Sequence, residues 1–190
     1  EELAQGARWM RADGATDGLN ALFGVHVFPT LPVGTIGVRS GSLTAAAGEL
    51  EIEVIGEGGH GARPHQSLDA IWIAARVVTG LQEAISRRLD ALNPVVVSFG
   101  KIEGGKAFNV IADRVPLLGT VRCLCADLHE RLPAWIEETV QAICGSFGAT
   151  ARVRYRCIAP PVRNDPALTA LLERSAVEQL GAAQVQRLEQ

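Results

Sequence analysis

Between about residues 47 and 157 the hydrophobic pattern spells six elements in a row, and that succession leaves few folds open. Leu50, Ile52 and Val54 alternate with Glu51 and Glu53, the mark of a half-buried strand. A glycine-rich turn at 56–61 follows. Leu68, Ile71, Ala75, Val78, Leu81 and Ile85 then recur at helical spacing, with Ser67 placed as the cap and Asp69 in the first turn. Val95 to Phe99 is a β-branched and aromatic strand. A loop with Gly104-Gly105 leads to another strand near Leu117–Leu124. Asp127 and Glu130 open a second helix in capping-box fashion. Leu132, Ile136, Val140, Ile143 and Phe147 give its apolar face, and Gly148 ends it. Val153, Tyr155 and Cys157 finally alternate with Arg152, Arg154 and Arg156.

Strand, helix, strand, strand, helix, strand is the ferredoxin-like split βαβ order. It predicts two helices, near 67–89 and 127–147, on one face of a four-stranded antiparallel sheet. The charges of Glu51, Glu53, Arg152, Arg154 and Arg156 fit the open face, and pair across strands if the first and last are neighbours. Pro116 conflicts with the third strand, so it should precede that strand or sit at a bulge. The pattern makes 44–158 a self-contained insert between flanks 1–43 and 159–190. In the first flank, Leu3–Asp13 reads as a helix closed by Gly14. Leu22–Phe28 reads as a strand buried on both faces, and Pro29, Pro32 and Gly34 mark a loop. In the second, Asp165-Pro166 caps a helix carrying Leu168, Leu171, Leu172 and Leu180, stopped by Gly181.

Composition excludes several classes. A net charge of −3 with no like-charge block lacks the basic footprint of a nucleic-acid binder. No apolar run approaches the roughly 18 residues that span a membrane. A hydrophobic share of 47% is enough for a core. Cys123, Cys125, Cys144 and Cys157 form no C-x-x-C pair and no zinc-finger spacing, so they read as reduced, mostly buried thiols. With no leader sequence evident, this points to the cytoplasm. Cys123 and Cys125 share a strand face but have no further ligand nearby. The chain opens on Glu1 rather than Met, as a piece of a longer protein would.

Taken singly, few side chains announce chemistry. In an adjacent pair such as Glu1-Glu2, one carboxylate can act as base while the other binds a metal, yet two terminal glutamates are solvated by default. His26, among apolar neighbours, fits a hydrogen-bonded structural residue better than a ligand. His60, Arg63 and His65 share one glycine-rich turn between strand and helix, where functional loops gather. Asn109 and Arg122 are uninformative alone.

Together the motifs say more. Glu1-Glu2 with Gly6-Ala7, GVHVFPTLPVG at 24–34, GEGGHGARPH at 56–65, GKIEGGKAFNVI at 100–111 and GTVR at 119–122 occur in one order. The chain resembles, in these motifs, the aminoacylase, hippurate hydrolase and auxin-conjugate amidohydrolase family. The resemblance implies an α/β metallohydrolase domain with the ferredoxin-like insert as a lid, and two divalent ions, Zn or Mn, that activate a water to cleave the amide of a small N-acyl amino acid. It implies Glu1 as general base and Glu2 and His26 as metal ligands in a common cleft. It implies His60 as an oxyanion donor reaching the partner's site in a homodimer joined through the lid. Asn109 and Arg122 would hold substrate, the Arg gripping a carboxylate through its planar fork, with His65 as support or substrate contact. A further Cys-Gly-His-Asp ligand segment is expected before Glu1 and a last histidine after Gln190, so this chain alone should lack a complete metal site and activity. Ala112 replaces the proline usual after Asn-Val-Ile, and Leu3 and Gln5 stand where glycines are common. Two alternatives stay open: a dimerisation module without activity, and a related aminopeptidase or cell-wall precursor deacetylase.

Overall fold

The computed structural model describes residues 5–188. The chain divides into two compact units, one of them Ala45–Pro161 and the other formed by the stretches before and after it. The insert thus runs a few residues past 158, because its last strand continues to Ala159.

In the first flank, α1 covers Gln5–Ala12, and Gly14 turns the chain with φ of 82°. β1 (Ile36–Val38) and β2 (Gly41–Thr44) follow. The strand expected over Leu22–Phe28 is absent. That segment has no regular structure, and Val25 and Val27 are 101% and 82% exposed. A strand needs a neighbour to take up its backbone groups, and among the described residues none lies beside this one. Apolar character alone does not supply it.

The insert contains β3 (Ala46–Ile55), β4 (Gly59–His60), α2 (Ala70–Arg88), β5 (Val95–Ile102), β6 (Val110–Ile111), β7 (Arg114–Cys123), α3 (Ala126–Gly145) and β8 (Thr150–Ala159). The second flank adds β9 (Val162–Asn164), α4 (Pro166–Leu180) and β10 (Val185–Arg187). There β10 pairs in parallel with β1, and β9 pairs antiparallel with β2. Asp165 caps α4 by accepting from Leu168 N at 2.9 Å, with Pro166 in the first turn, and Gly181 ends the helix at φ 87°.

The insert's main sheet has the order β5-β7-β3-β8, antiparallel throughout, which is the ferredoxin-like arrangement. Its first and last strands are neighbours, and the expected charge ladder forms with Glu49 as a further rung. Glu49, Glu51 and Glu53 oppose Arg156, Arg154 and Arg152. Arg152 and Arg114 both reach Glu53, at 3.1 and 3.4 Å, and Arg156 pairs with Glu49. Pro116 lies inside β7, neither before it nor at a bulge. Its carbonyl accepts from Glu103 N at 3.1 Å, so its nitrogen faces the β5 side, just past the last paired residues Ile102 and Leu117. The missing N–H therefore falls where the β5 ladder has already ended.

Leu50, Ile52 and Val54 meet the helices in the core, with Val115, Leu117 and Val121 beside them. Both helix faces differ in detail from the pattern. α2 buries Ala70, Ile73, Ala74, Val77 and Leu81, while Ile71 is 45% exposed. Small Ala70 and Ala74 let that face approach the sheet, and the larger Ile71 and Trp72 are left at the surface. α2 is capped by Asp69 rather than Ser67: its Oδ1 accepts from Ile71 N and Trp72 N. α3 starts after Cys125, which makes no side-chain cap, so the capping box does not form, and its buried stripe is His129, Leu132, Ile136, Val140 and Cys144.

Two contacts finish this unit. Tyr155 lies across Gly48 of β3, and its hydroxyl sits 3.0 Å from Nε2 of the buried His129. Gln141 of α3 bonds both backbone groups of Ala151 on the edge strand β8, while Gln82 of α2 donates to Val97 O on the opposite edge, β5.

Candidate functional site

The main sheet frays at one end into a small tab. Beyond β3, Gly56 N donates to Asp113 O, and Glu57 and Leu68 exchange two backbone bonds of 2.9 Å. β4 then pairs with β6, placing His60 against Val110, and Gly61 N donates to Asn109 O at 2.8 Å. Here glycine is required by space: a Cβ on Gly61 would lie 3.0 Å from Asn109 O and 3.2 Å from its carbonyl carbon. A tight turn closes with Arg63 N on His60 O, and His65 follows in a 3₁₀ turn, Pro64–Gln66. His60, His65 and Asn109 are all exposed. The His60 ring is braced by Ala62 N, 3.1 Å from Nδ1.

So the structure joins His60 and Asn109 on one tab, with His65 beside them in the same turn. It does not bring Arg122 to them. Arg122 lies on β7 opposite Ala47 and Val96. From Arg114 to Arg122 is 122 − 114 = 8 residues, about 27 Å of strand. The tab attaches beyond the Arg114 end, and Arg122 sits at the other, where the chain enters and leaves the insert. Its pairing is also distinctive. Arg114, Arg152, Arg154 and Arg156 share the open face with it, and each faces a glutamate. Among the described residues Arg122 makes no ion pair; its Nη1 donates to Val121 O at 3.3 Å. A fork with spare donors beside saturated neighbours is suited to an incoming carboxylate.

Glu1 and Glu2 lie outside the described residues. His26 is exposed; its Nδ1 is 2.7 Å from Val27 O and its ring meets Phe28 edge-on at 5.3 Å. Among the described residues no three His, Cys, Asp or Glu side chains come together in a way that could hold a metal. His26 is the one described member of the implied ligand set, so these residues do not make the centre by themselves.

Two of the motifs also line a cavity to which the sequence reading gave no role. This cavity, of about 540 Å³, opens beside the tab, lined by Gly61, Pro64, Ile71, Gly104, Lys106 and Phe108 among others. Phe108, next to Asn109, is fully exposed. An aromatic residue inside an otherwise polar glycine-rich loop was the signal for it. The thiols carry no such feature. None of the four forms a disulfide, and burial pushes the Cys123 and Cys144 thiols above their ordinary range, away from the thiolate that reacts.

Residues 44–154 match the M20 peptidase dimerisation domain. The chain belongs to the M20 family. It is 53% identical over 186 residues to a probable hydrolase of Synechocystis, covering 98% of this chain and 47% of that protein. It is 41% identical to the N-acyl-L-amino acid amidohydrolase of Geobacillus stearothermophilus, over 86% of this chain and 45% of the relative. Its fold follows a Bacillus subtilis protein described as a dinuclear metal-binding M20 peptidase, with TM-score 0.80 and 32% identity, covering 100% of this chain and 47% of that one. The chain thus spans about half the length of the curated relatives it matches. As an M20 dimerisation domain, the insert has a ferredoxin-like sheet, and no helix among the described residues is long and apolar enough to cross a membrane.

Proposed function

We propose that the chain is the lid-bearing part of a cytoplasmic, metal-dependent amidohydrolase that cleaves N-acyl amino acids, and that each active site draws on the two ends of two different lids. Support for the substrate class comes from the relative named for N-acyl-L-amino acids and from Arg122, which makes no ion pair among the described residues. Support for the compartment comes from four cysteines that form no disulfide. Flanks 1–43 and 159–190 belong, in this reading, to the catalytic domain. Two divalent ions, zinc or manganese, would complete that domain, with Glu2 and His26 among their ligands. Glu1 would be the base that takes a proton from the attacking water and returns it to the leaving amine. Because the described residues hold no metal cluster, the chain alone should be inactive, and a metal titration of it should reveal no tight stoichiometric site.

The observation that carries the assembly is the separation along β7. One substrate of amino-acid size cannot touch Arg122 and His60 of the same lid when about 27 Å of strand lies between their ends. A two-fold dimer removes the difficulty. Arg122, near the chain's entry to the lid, serves its own subunit's site, while the tab carries His60 and Asn109 to the partner's. His60 then donates to the developing oxyanion, Asn109 positions substrate, and Arg122 grips its carboxylate. Lid closure expels water and brings the tab into place. Of the two sheet edges, β8 is blunted by Arg152, Arg154, Arg156 and by Gln141 on Ala151. The valine-rich β5 is less protected, with one carbonyl taken by Gln82, and is the edge open to a second copy.

The test is complementation in the full-length enzyme. His60→Ala alone should lower kcat by about 10²–10³ with metal content intact. Mixing His60→Ala with Arg122→Ala subunits should restore one working site per heterodimer. Mixing His60→Ala with Asn109→Ala should restore none, since both residues would reach the same site from the same partner. Equal recovery in the two mixtures, or none in either with heterodimers confirmed, would overturn the shared-site reading.

A further inference from the structure

We propose that the backbone amide of Ala62 fixes His60 as its Nε2–H tautomer, so that the ring presents a hydrogen-bond donor at the tip of the tab. The proposal rests on the reading of His60 as an oxyanion donor for its catalytic meaning, but its observation is separate. Neutral imidazole carries one N–H and one lone pair. Ala62 N lies 3.1 Å from Nδ1, and a peptide nitrogen can only donate. Nδ1 therefore holds the lone pair and the proton sits on Nε2.

The amide is aimed by a braced turn. Arg63 N closes it on His60 O at 2.8 Å, Gly61 N ties it to Asn109 O at 2.8 Å, and β4 pairing sets His60 against Val110. The ring cannot present Nδ1–H without setting two N–H groups against each other, or swinging away and leaving the Ala62 amide without this partner. This assigns the role as well as the tautomer. Acting as a base or a metal ligand through Nε2 would require the proton to move to Nδ1, against the Ala62 amide. Donation from Nε2 requires no rearrangement. In this way a backbone group, invisible to any motif, selects among the functions a histidine could have. His65, in the next turn, has no side-chain hydrogen bond among the described residues and serves as an internal reference.

The experiment uses the full 190-residue chain labelled with ¹⁵N and observed by long-range ¹H–¹⁵N correlation at about pH 8, above the ordinary histidine range near 6.5. His60→Asn assigns the ring while keeping an acceptor near the Nδ1 position, and the amide fingerprint verifies the fold. Should that variant misfold, His65→Asn, His26→Asn and His129→Asn assign the remaining ring by elimination. The expected result is a His60 ring with unprotonated Nδ1 and protonated Nε2, free of tautomer averaging, with a scalar coupling from Ala62 N across the hydrogen bond. His65 should show averaging. A protonated Nδ1, a His60 ring averaged like that of His65, or no coupling to Ala62 would overturn the proposal. Its failure is distinguishable from that of the oxyanion reading. A fixed Nε2–H ring in an enzyme whose His60→Ala variant keeps full kcat would discard the catalytic role and leave the tautomer standing. An averaged ring with a crippled variant would do the reverse.

Discussion

Gly48→Ala tests the packing of the dimerisation domain at one point. The new methyl would stand 2.6 Å from Cε2 of Tyr155, and closer still to Cζ and Oη. The ring is the movable partner, because β3 is paired on both sides at this position, with Val121 and Cys157. Moving the ring separates its hydroxyl from His129 Nε2, now 3.0 Å away. Overpacking costs about 1–3 kcal/mol and the lost hydrogen bond about 0.5–1.5 kcal/mol, so a loss of about 2–4 kcal/mol is expected. Urea unfolding followed by circular dichroism and tryptophan emission measures it as a fall in midpoint with little change in m. Removing the Tyr155 ring provides the control. In a Tyr155→Ala background the same substitution should cost much less, with a coupling energy of about 1–3 kcal/mol. A Gly48→Ala loss below about 0.5 kcal/mol, or an equal loss in both backgrounds, would refute it.

Tyr155 is the chain's single tyrosine, so phenolate absorbance reports it alone. Burial, then the neighbouring Cys157 and Cys123, push its pKa up to about 12 from 10. An acid whose folded pKa is raised contributes stability below its unfolded pKa. Stability should therefore fall between about pH 10 and 12, and Tyr155→Phe should flatten that slope in urea titrations across this range. Asp69→Ala, removing two capping bonds from α2, should cost about 1 kcal/mol by thermal or urea unfolding. Glu51→Gln should change stability by less than about 1 kcal/mol and lose even that in high salt, because the Arg154 pair is exposed at 4.0 Å. A larger, salt-independent loss would mean that the ladder does more than surface pairing.

The dimerisation domain was legible because its signals are local and repeated. Leu50, Ile52 and Val54 set a period of two, and Glu51 and Glu53 oppose Arg154 and Arg152, the pairing expected if the first and last strands are neighbours. The flank was not legible in the same way. Leu22–Phe28 has strand residues, but strand structure depends on a neighbour that sequence pattern cannot supply. The caps failed for a subtler reason. Ser67 and Asp69 are both cap residues, and the choice between them turned on the bonds exchanged by Glu57 and Leu68, which hold Leu68 extended. Of the candidate site, the company of His60 and Asn109 follows from the tab. The remoteness of Arg122 does not show in the motifs, because sequence order hides that β7 carries it to the far end of the sheet. The ring brace from Ala62 left no trace in residue types, since any non-proline residue has that amide.

Placing Asn109 just before one end of β7 and Arg122 near the other also constrains how such a chain can change over time. One residue inserted into β7 would turn Arg122 to the helix side of the sheet, and two would restore its facing but move it about 7 Å. Either change would have to be matched in β3, whose ten residues pair with β7 one for one. Length should therefore vary in the turns, at 89–94 and 146–149, where an added residue leaves this spacing untouched. Insertions there should be tolerated in a full-length enzyme, while a single inserted residue in β7 should abolish turnover even in a chain that still folds.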